Sequence, residues 1–166
     1  MEIQAAVVTV SDSRSAGDDL SGERLVELLT SIGAEIVERV IVTDDRDGLR
    51  DTLISLAGRG RINLIITTGG TGFGPRDNTP EATLGAIERE APGMAEAMRR
   101  ETASKHPMAM LSRGVCGIRG GTLIVNLPGS PKAVRENLDT LLPAIPHAID
   151  LLRDAPDTET GHARIA

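Results

Sequence analysis

The sequence predicts an α/β fold of three layers, α/β/α, around a mostly parallel sheet that carries one antiparallel strand. Strand-like and helix-like segments alternate from the start of the chain. The run over 62–66 is almost wholly apolar, as expected of a strand that helices cover on both faces. Two further strand-like runs flank Gly120-Gly121, which predicts a hairpin and therefore one antiparallel strand.

The first half of the chain has the pattern of strand, helix, strand, helix. Residues 5–10 form a β-rich run, and a polar loop is expected over 11–22. The next apolar side chains follow the i, i+3, i+4, i+7 spacing of one helix face, and Gly33 is placed to end that helix; these side chains are Leu25, Leu28, Leu29 and Ile32. A second strand is predicted over 36–42, and the leucines at 49, 53 and 56 predict a second helix.

The second half adds helices and the hairpin strands. We expect Thr79 to cap a helix and Pro80 to occupy its first turn, and a further helical stretch includes positions 94 and 98. Strands are predicted over 115–118 and 122–127. Ser130 and Pro131 then have the pattern of a helix cap and first position. We expect one domain over 1–153, followed by a polar tail over 154–166.

Composition and charge exclude several classes of function. The 166 residues include one Phe and no Tyr or Trp, so stacking of bases on aromatic rings cannot be a main binding device. A net charge of −6 disfavours nucleic acid and anionic membranes as partners. The lone Cys116 rules out an intrachain disulfide and is expected to be a small core residue. With neither a signal-peptide pattern nor an apolar run of about 20 residues, we expect a cytoplasmic protein.

The stretch over 67–80 is the most informative feature. An apolar strand ends in four glycines within six residues, and a helix begins just after them. Ligands bind at the carboxyl ends of strands in such sheets, and a helix N-terminus offers N–H groups to an anion. A Walker A loop is excluded because Gly74-Pro75-Arg76 stands where Gly-Lys-Ser/Thr is required, and the glycine spacing is not that of a dinucleotide fingerprint. A tight structural turn is the alternative.

Several polar residues follow strand ends at the same predicted edge. Asp77 and Asp44 could converge on one Mg²⁺ beside a bound phosphate, because Mg²⁺ accepts a few carboxylates together with water and phosphate oxygens. A favourable helix dipole would explain Asp77 equally well, and helix capping would explain Asp44 and its neighbour Asp45. Ser11 and Asp12 suit polar ligand contacts, although a surface loop is equally compatible. The three histidines lack metal-ligand spacing and are expected to be structural or exposed.

Two motifs resemble those of the MoaB/Mog family of molybdenum cofactor biosynthesis proteins. They are Thr68-Gly69-Gly70-Thr71-Gly72 with Arg76-Asp77 and Thr79-Pro80-Glu81, and Leu127-Pro128-Gly129-Ser130-Pro131-Lys132 downstream. The resemblance runs from about the first strand to the last helix. It implies a homotrimer, or a hexamer of two trimers, that adenylylates molybdopterin with ATP and Mg²⁺, after which a different protein, a molybdenum insertase, inserts the metal.

The resemblance also assigns roles to residues of this chain. The two aspartates that matter in active members fall on Asp44 and Asp77, and this chain's retention of both favours an active enzyme. The expected contacts to nucleotide or pterin are Ser11, Asp12, Gly69, Gly70, Thr71, Gly72, Ser112, Gly129, Ser130 and Lys132. A molybdopterin carrier or scaffold without catalysis, and a hydrolase of the kind found in the related competence-protein domain, are the alternatives.

Overall fold

A six-stranded sheet forms the middle layer in a computed structural model that describes residues 2–153. The strands are β1 (Gln4–Val10), β2 (Glu35–Val42), β3 (Leu64–Thr68), β4 (Arg89–Glu90), β5 (Cys116–Arg119) and β6 (Thr122–Leu127). Their order across the sheet is β2-β1-β3-β6-β5-β4. The first four neighbours in that order are parallel, whereas β5 runs antiparallel to both β6 and β4. The predicted three-layer fold with one antiparallel strand is therefore confirmed.

Helices cover both faces of this sheet. They are α1 (Leu20–Ser31), α2 (Arg46–Ala57), α3 (Thr79–Ala86), α4 (Pro92–Ala103), α5 (Pro131–Leu141) and α6 (Ile145–Arg153), with a 3₁₀ helix at Pro107–Leu111. Apolar side chains of α1, α4, α5 and α6 pack in one cluster on one face. Those of α2 and α3 pack in a second cluster on the other face.

The central strands are buried on both faces, which explains their nearly continuous apolar sequence. Neighbouring residues of one strand point to opposite faces. Val7 and Ile66 accordingly belong to the first cluster, and Val8 and Ile65 to the second. The core is aliphatic, and Cys116 lies within it at 1% exposure, as predicted.

Several local predictions were wrong in detail. The first helix begins at Leu20, so the polar loop ends at Asp19, whose side chain caps α1 by accepting a hydrogen bond from the backbone N–H of Gly22. Thr79 does not cap α3; it is the first helical residue, and its hydroxyl instead donates to the carbonyl oxygen of Gly69 at 2.9 Å. The third strand lies two residues later than predicted, over Leu64–Thr68, and the second begins one residue earlier.

Three elements were not predicted individually: β4, the 3₁₀ helix and α6. The two residues of β4 are too few to show any periodicity, and Pro146 within the first turn of α6 obscured its helical pattern. The predicted tail over 154–166 lies outside the described residues. Among residues 2–153, no helix is both long and apolar enough to cross a membrane.

Candidate functional site

Buried hydroxyl and amide groups hold the loops that follow the central strands. Thr68, the last residue of β3, donates to the carbonyl oxygen of Pro128 at 2.8 Å. On the neighbouring strand β6, the side-chain amide of Asn126 donates to the hydroxyls of Thr67 and Thr83, at 3.0 and 2.8 Å. All of these side chains are almost fully buried. A satisfied buried network of this kind gives the loops above it a defined position.

The glycine-rich loop after β3 requires glycine for two reasons. Gly69 and Gly70 have φ of +104° and +66°, which side-chain-bearing residues rarely adopt. There is also no room for a side chain, since a Cβ on Gly69 would lie 2.4 Å from the carbonyl oxygen of Val10. A Cβ on Gly70 would lie 2.3 Å from the Thr79 hydroxyl and 2.7 Å from a carboxylate oxygen of Asp44. The loop is therefore pressed against the ends of its neighbours.

This loop forms one wall of a pocket of about 510 Å³. The other walls come from the 3₁₀ helix, the end of α4 and the start of α5. Eight of the predicted site residues line the pocket: Gly70, Thr71, Gly72, Asp77, Ser112, Gly129, Ser130 and Lys132. The structure thus brings both sequence motifs to a single cavity at the carboxyl edge of the sheet, where open α/β sheets bind ligands.

Asp77 lies on the pocket wall at the end of the glycine-rich loop. Its Oδ2 accepts a hydrogen bond from the backbone N–H of Gly74 at 2.9 Å. The same oxygen lies 2.8 Å from where a Cβ on Gly72 would stand, so a side chain at position 72 would displace the carboxylate. The glycines therefore leave space for the Asp77 carboxylate as well as for a ligand.

Asp44 approaches the same loop from behind. It is 8% exposed, does not line the pocket, and its Oδ1 accepts a hydrogen bond from the backbone N–H of Asn78 at 2.9 Å. Burial raises the pKa of Asp44; the Asn78 N–H bond opposes this, and the negative charges of Asp77 and Asp12 raise it further. The capping alternative applies to Asp45, whose carboxylate accepts from Gly48 at the start of α2.

Three other predicted contacts do not line the pocket. The Ser11 hydroxyl accepts hydrogen bonds from two backbone N–H groups of its own loop. Asp12 accepts from the backbone N–H of Asp44 at 3.0 Å and from the Arg76 guanidinium at 2.6 Å, and the latter bond lowers the pKa of Asp12. Gly69 begins the glycine-rich loop, and its N–H donates to the carbonyl oxygen of Leu127. These residues connect the loops around the pocket.

The wall formed by α4 and α5 contains residues that sequence reasoning missed. Nε2 of His106 lies 3.3 Å from a carboxylate oxygen of Glu136, and Nζ of Lys132 lies 4.0 Å from the same oxygen. The buried amide oxygen of Asn137 accepts from the Thr102 hydroxyl at 3.3 Å. The i,i+4 spacing of Lys132 and Glu136 is a signal that could have pointed to the second residue.

Two arginines near the pocket were also missed. The guanidinium of Arg14 donates to the Ser21 hydroxyl at 2.7 Å and to the carbonyl oxygen of Gly129 at 3.3 Å. That of Arg113 donates to the carbonyl oxygens of Gly72 and Asp77. Arginines that bond to backbone carbonyls of distant loops leave no local pattern in a sequence.

Several known proteins align with nearly the whole length of this chain. A family model described as a probable molybdopterin binding domain matches residues 6–147. The molybdopterin adenylyltransferase of Helicobacter pylori (strain J99) is 42% identical over 154 residues, which cover 90% of this chain and 88% of that protein. The molybdopterin adenylyltransferase of Escherichia coli (strain K12) is 36% identical over 180 residues, covering 99% and 92%.

Solved structures agree with the sequence relatives. The crystal structure of the molybdopterin biosynthesis enzyme MoaB from Thermus thermophilus has a TM-score of 0.84 and 45% identity, covering 90% of this chain and 96% of that one. The molybdopterin biosynthesis Mog protein from Mycobacterium ulcerans has a TM-score of 0.83 and 39% identity, covering 90% and 99%. With a matching family model, close relatives and the same fold, this chain belongs to the MoaB/Mog family of molybdenum cofactor biosynthesis proteins.

Proposed function

We propose that the chain transfers the adenylyl group of ATP to molybdopterin, giving adenylyl-molybdopterin and pyrophosphate. Two relatives that align with nearly the whole chain carry the name of that activity. The observation that supports it most directly is in the pocket wall. The backbone N–H groups of Gly70, Thr71 and Gly72 donate no hydrogen bond to any of residues 2–153. Unpaired N–H groups of this kind are suited to bind phosphate oxygens.

A second anion-binding element lines the same pocket. Ser130 caps α5 by accepting a hydrogen bond from the backbone N–H of Ala133 at 3.2 Å, and Lys132 lies in the first turn. The N-terminus of α5 therefore adds a helix dipole and an ammonium group to the pocket. The walls together offer a binding surface for the phosphates of two substrates.

In this reaction the protein contributes positioning of the substrates more than covalent chemistry. An oxygen of the molybdopterin phosphate attacks the α-phosphorus of ATP; a new P–O bond forms, the bond to the bridging oxygen breaks, and pyrophosphate leaves. Holding both phosphates in line and balancing their charge supplies most of the rate in reactions of this class. In this proposal the glycine-rich loop, Ser130 and Lys132 bind the phosphates.

The carboxylates fit the Mg²⁺ that we propose accompanies ATP. Within residues 2–153, no three His, Cys, Asp or Glu side chains cluster as a metal site built from protein ligands alone. Asp77 Oδ1 and Asp44 Oδ2 accept no hydrogen bond from the described residues. One or two carboxylates completed by phosphate oxygens and water are the donor set that Mg²⁺ takes. When bound, the ion would neutralise charge on the phosphates.

Further parts of the proposal concern assembly and setting. We propose that the chain works in the cytoplasm as a homotrimer or a pair of trimers. Its product would pass to a molybdenum insertase, because adenylyl-molybdopterin itself carries no metal. Sedimentation of the purified protein tests the assembly.

The activity is tested by incubating the protein with ATP, Mg²⁺ and molybdopterin and detecting the adenylylated product by mass spectrometry. We expect product with the native chain, none with Asp77→Asn, and native turnover with Asp51→Asn, a matched change on exposed α2. Molybdopterin that binds without being adenylylated would identify a carrier instead. Inorganic products released from ATP in the absence of molybdopterin would identify a hydrolase.

A further inference from the structure

Arg113 joins two walls of the pocket. It follows the 3₁₀ helix and Ser112, and it reaches across to the glycine-rich loop. Its backbone N–H donates to the carbonyl oxygen of Thr71 at 2.8 Å. Its guanidinium donates through Nε to the carbonyl oxygen of Gly72 at 2.8 Å and through Nη2 to that of Asp77 at 2.7 Å.

The guanidinium is itself held by a carboxylate. Nη1 of Arg113 forms a close ion pair with Glu81 in the first turn of α3. The hydrogen bond from Arg113 is the main cause that lowers the pKa of Glu81, so the pair is charged on both sides at neutral pH. Because the guanidinium is planar and rigid, fixing one edge on Glu81 orients the N–H groups that reach the loop.

These bonds decide which way the peptide groups of the loop face. A trans peptide is planar, so its C=O and the following N–H point in opposite directions. The backbone N–H of Arg113 holds the carbonyl oxygen of Thr71, so the N–H of Gly72 must point away from Arg113. The guanidinium fixes the other side of Gly72 by holding its carbonyl oxygen, and so restrains the peptide group that follows. Without that restraint a peptide next to glycine has several orientations of similar energy.

We propose that Arg113 is the positioning residue of the site. Its guanidinium fixes the carbonyl oxygens of Gly72 and Asp77, which restrains the conformation of the glycine-rich loop and the position of the Asp77 carboxylate. The role is indirect, since Arg113 does not line the pocket itself. The inference rests on the proposed adenylyl transfer for its kinetic consequence, but the restraint on the loop can be measured without it.

The first test is amide hydrogen exchange of the full-length protein without substrates. In the peptide that contains residues 70–77, Arg113→Gln should speed exchange of the hydrogen-bonded N–H groups of Gly74 and Asp77 and leave the strands unchanged. Arg119→Gln is the matched control: its side chain is 31% exposed against 34% for Arg113, and it too bonds a backbone carbonyl and lies near a glutamate. Equal exchange of the loop in the two variants would overturn the proposal.

The second test is kinetic. Arg113→Gln should lower kcat by about 100-fold, the cost of a small misplacement of reacting groups, with a smaller change in the KM for ATP. Arg113→Lys should recover only a small part of the lost kcat, because lysine keeps the positive charge but lacks the planar guanidinium with its fixed N–H donors. Full recovery by lysine, or a kcat within about threefold of native in Arg113→Gln, would overturn the positioning role.

The outcomes separate the two proposals. A native protein that makes no adenylyl-molybdopterin overturns the proposed function, while the exchange experiment still decides whether Arg113 restrains the loop. If Arg113→Gln does not fold, Glu81→Gln replaces it, because this change frees the guanidinium and keeps the arginine. It should speed exchange of the same loop peptide, and unchanged exchange would overturn the proposal.

Discussion

The carboxylate of Asp44 accepts a hydrogen bond from the backbone N–H of Asn78, and this bond ties the loop after β2 to the start of α3. The tie places a buried negative charge behind the glycine-rich loop. Since burial raises the pKa of Asp44, the folded protein is less stable with this side chain charged than it would be with a neutral one.

We predict that Asp44→Asn stabilises the fold and removes turnover. The raised pKa means that the folded state binds the proton more tightly, so the stability linked to this group is present below the unfolded pKa and is lost as pH rises through the folded one. At pH 7 the variant should melt about 1–3 °C above the native protein. At pH 3 the gain should vanish; a lower melting temperature at pH 7 would contradict the prediction.

Asp19 should have the opposite pH dependence. Burial raises the pKa of Asp19, but hydrogen bonds from Arg39, Thr9 and the N–H of Gly22 outweigh it, and the pKa is lowered. Its contribution is therefore present above the unfolded pKa and lost as pH falls through the folded one. We expect Asp19→Ala to cost about 2–4 kcal/mol in urea unfolding at pH 7, because it removes the α1 cap and leaves the buried Thr9 hydroxyl without its acceptor.

The control for Asp19 is Asp18→Ala. Asp18 is a neighbouring exposed carboxylate whose side chain, among residues 2–153, bonds within its own loop, to Ser15. This change should cost less than about 1 kcal/mol, as exposed surface changes do. Equal losses of unfolding free energy in the two variants would show that the burial of Asp19 and its bond to Arg39 do not contribute to stability.

Gly70→Ala should be far more harmful than Gly60→Ala. Both glycines have positive φ, +66° and +71°, so both changes incur the strain of about 1–2 kcal/mol. A Cβ on Gly60 meets nothing within 4 Å, whereas one on Gly70 collides with Thr79 and Asp44. We expect adenylylation to survive in Gly60→Ala and to be lost in Gly70→Ala. Equal activity in both would show that the close contact at the loop is not needed.

Cys116 should be inert in the native protein. Burial raises the pKa of its thiol to about 12, and the thiolate is the reactive form. We expect no labelling by a thiol reagent at pH 8 and complete labelling in urea. The labelling is counted by intact-mass spectrometry, and labelling of the native protein as fast as free glutathione would contradict the assignment of Cys116 to the core.

Much of the fold could be predicted because its signals are local. The leucines of α1 and α2 repeat with helical spacing, and Gly120-Gly121 marks the hairpin between β5 and β6. The short β4 could not be predicted, since two residues acquire a strand conformation only by pairing with β5. Thr79 was misassigned because capping by its hydroxyl competes with a longer-range bond to Gly69, which the sequence does not display.

The candidate site divides in the same way. The glycine-rich loop and the Ser130-Pro131-Lys132 turn were recognisable because their chemistry is contiguous in sequence, and both line the pocket. Ser11 and Asp12 follow a strand end at the correct edge, yet their side chains are used to join loops. Glu136 had a local signal in its i,i+4 spacing from Lys132, whereas Arg113 depends on how the 3₁₀ helix packs, which no local pattern encodes.

The strand order has a consequence for how this protein is made. Ala5 pairs with Leu64, and Leu64 pairs with Leu123, so the neighbouring strands β1, β3 and β6 are drawn from the beginning, centre and late part of the chain. Pairings between such distant segments form slowly, because a long loop must close before any contact is gained. During synthesis on the ribosome, one edge of β3 stays unpaired until β6 has emerged, so the nascent chain carries an open, apolar strand while the whole segment between β3 and β6 is made.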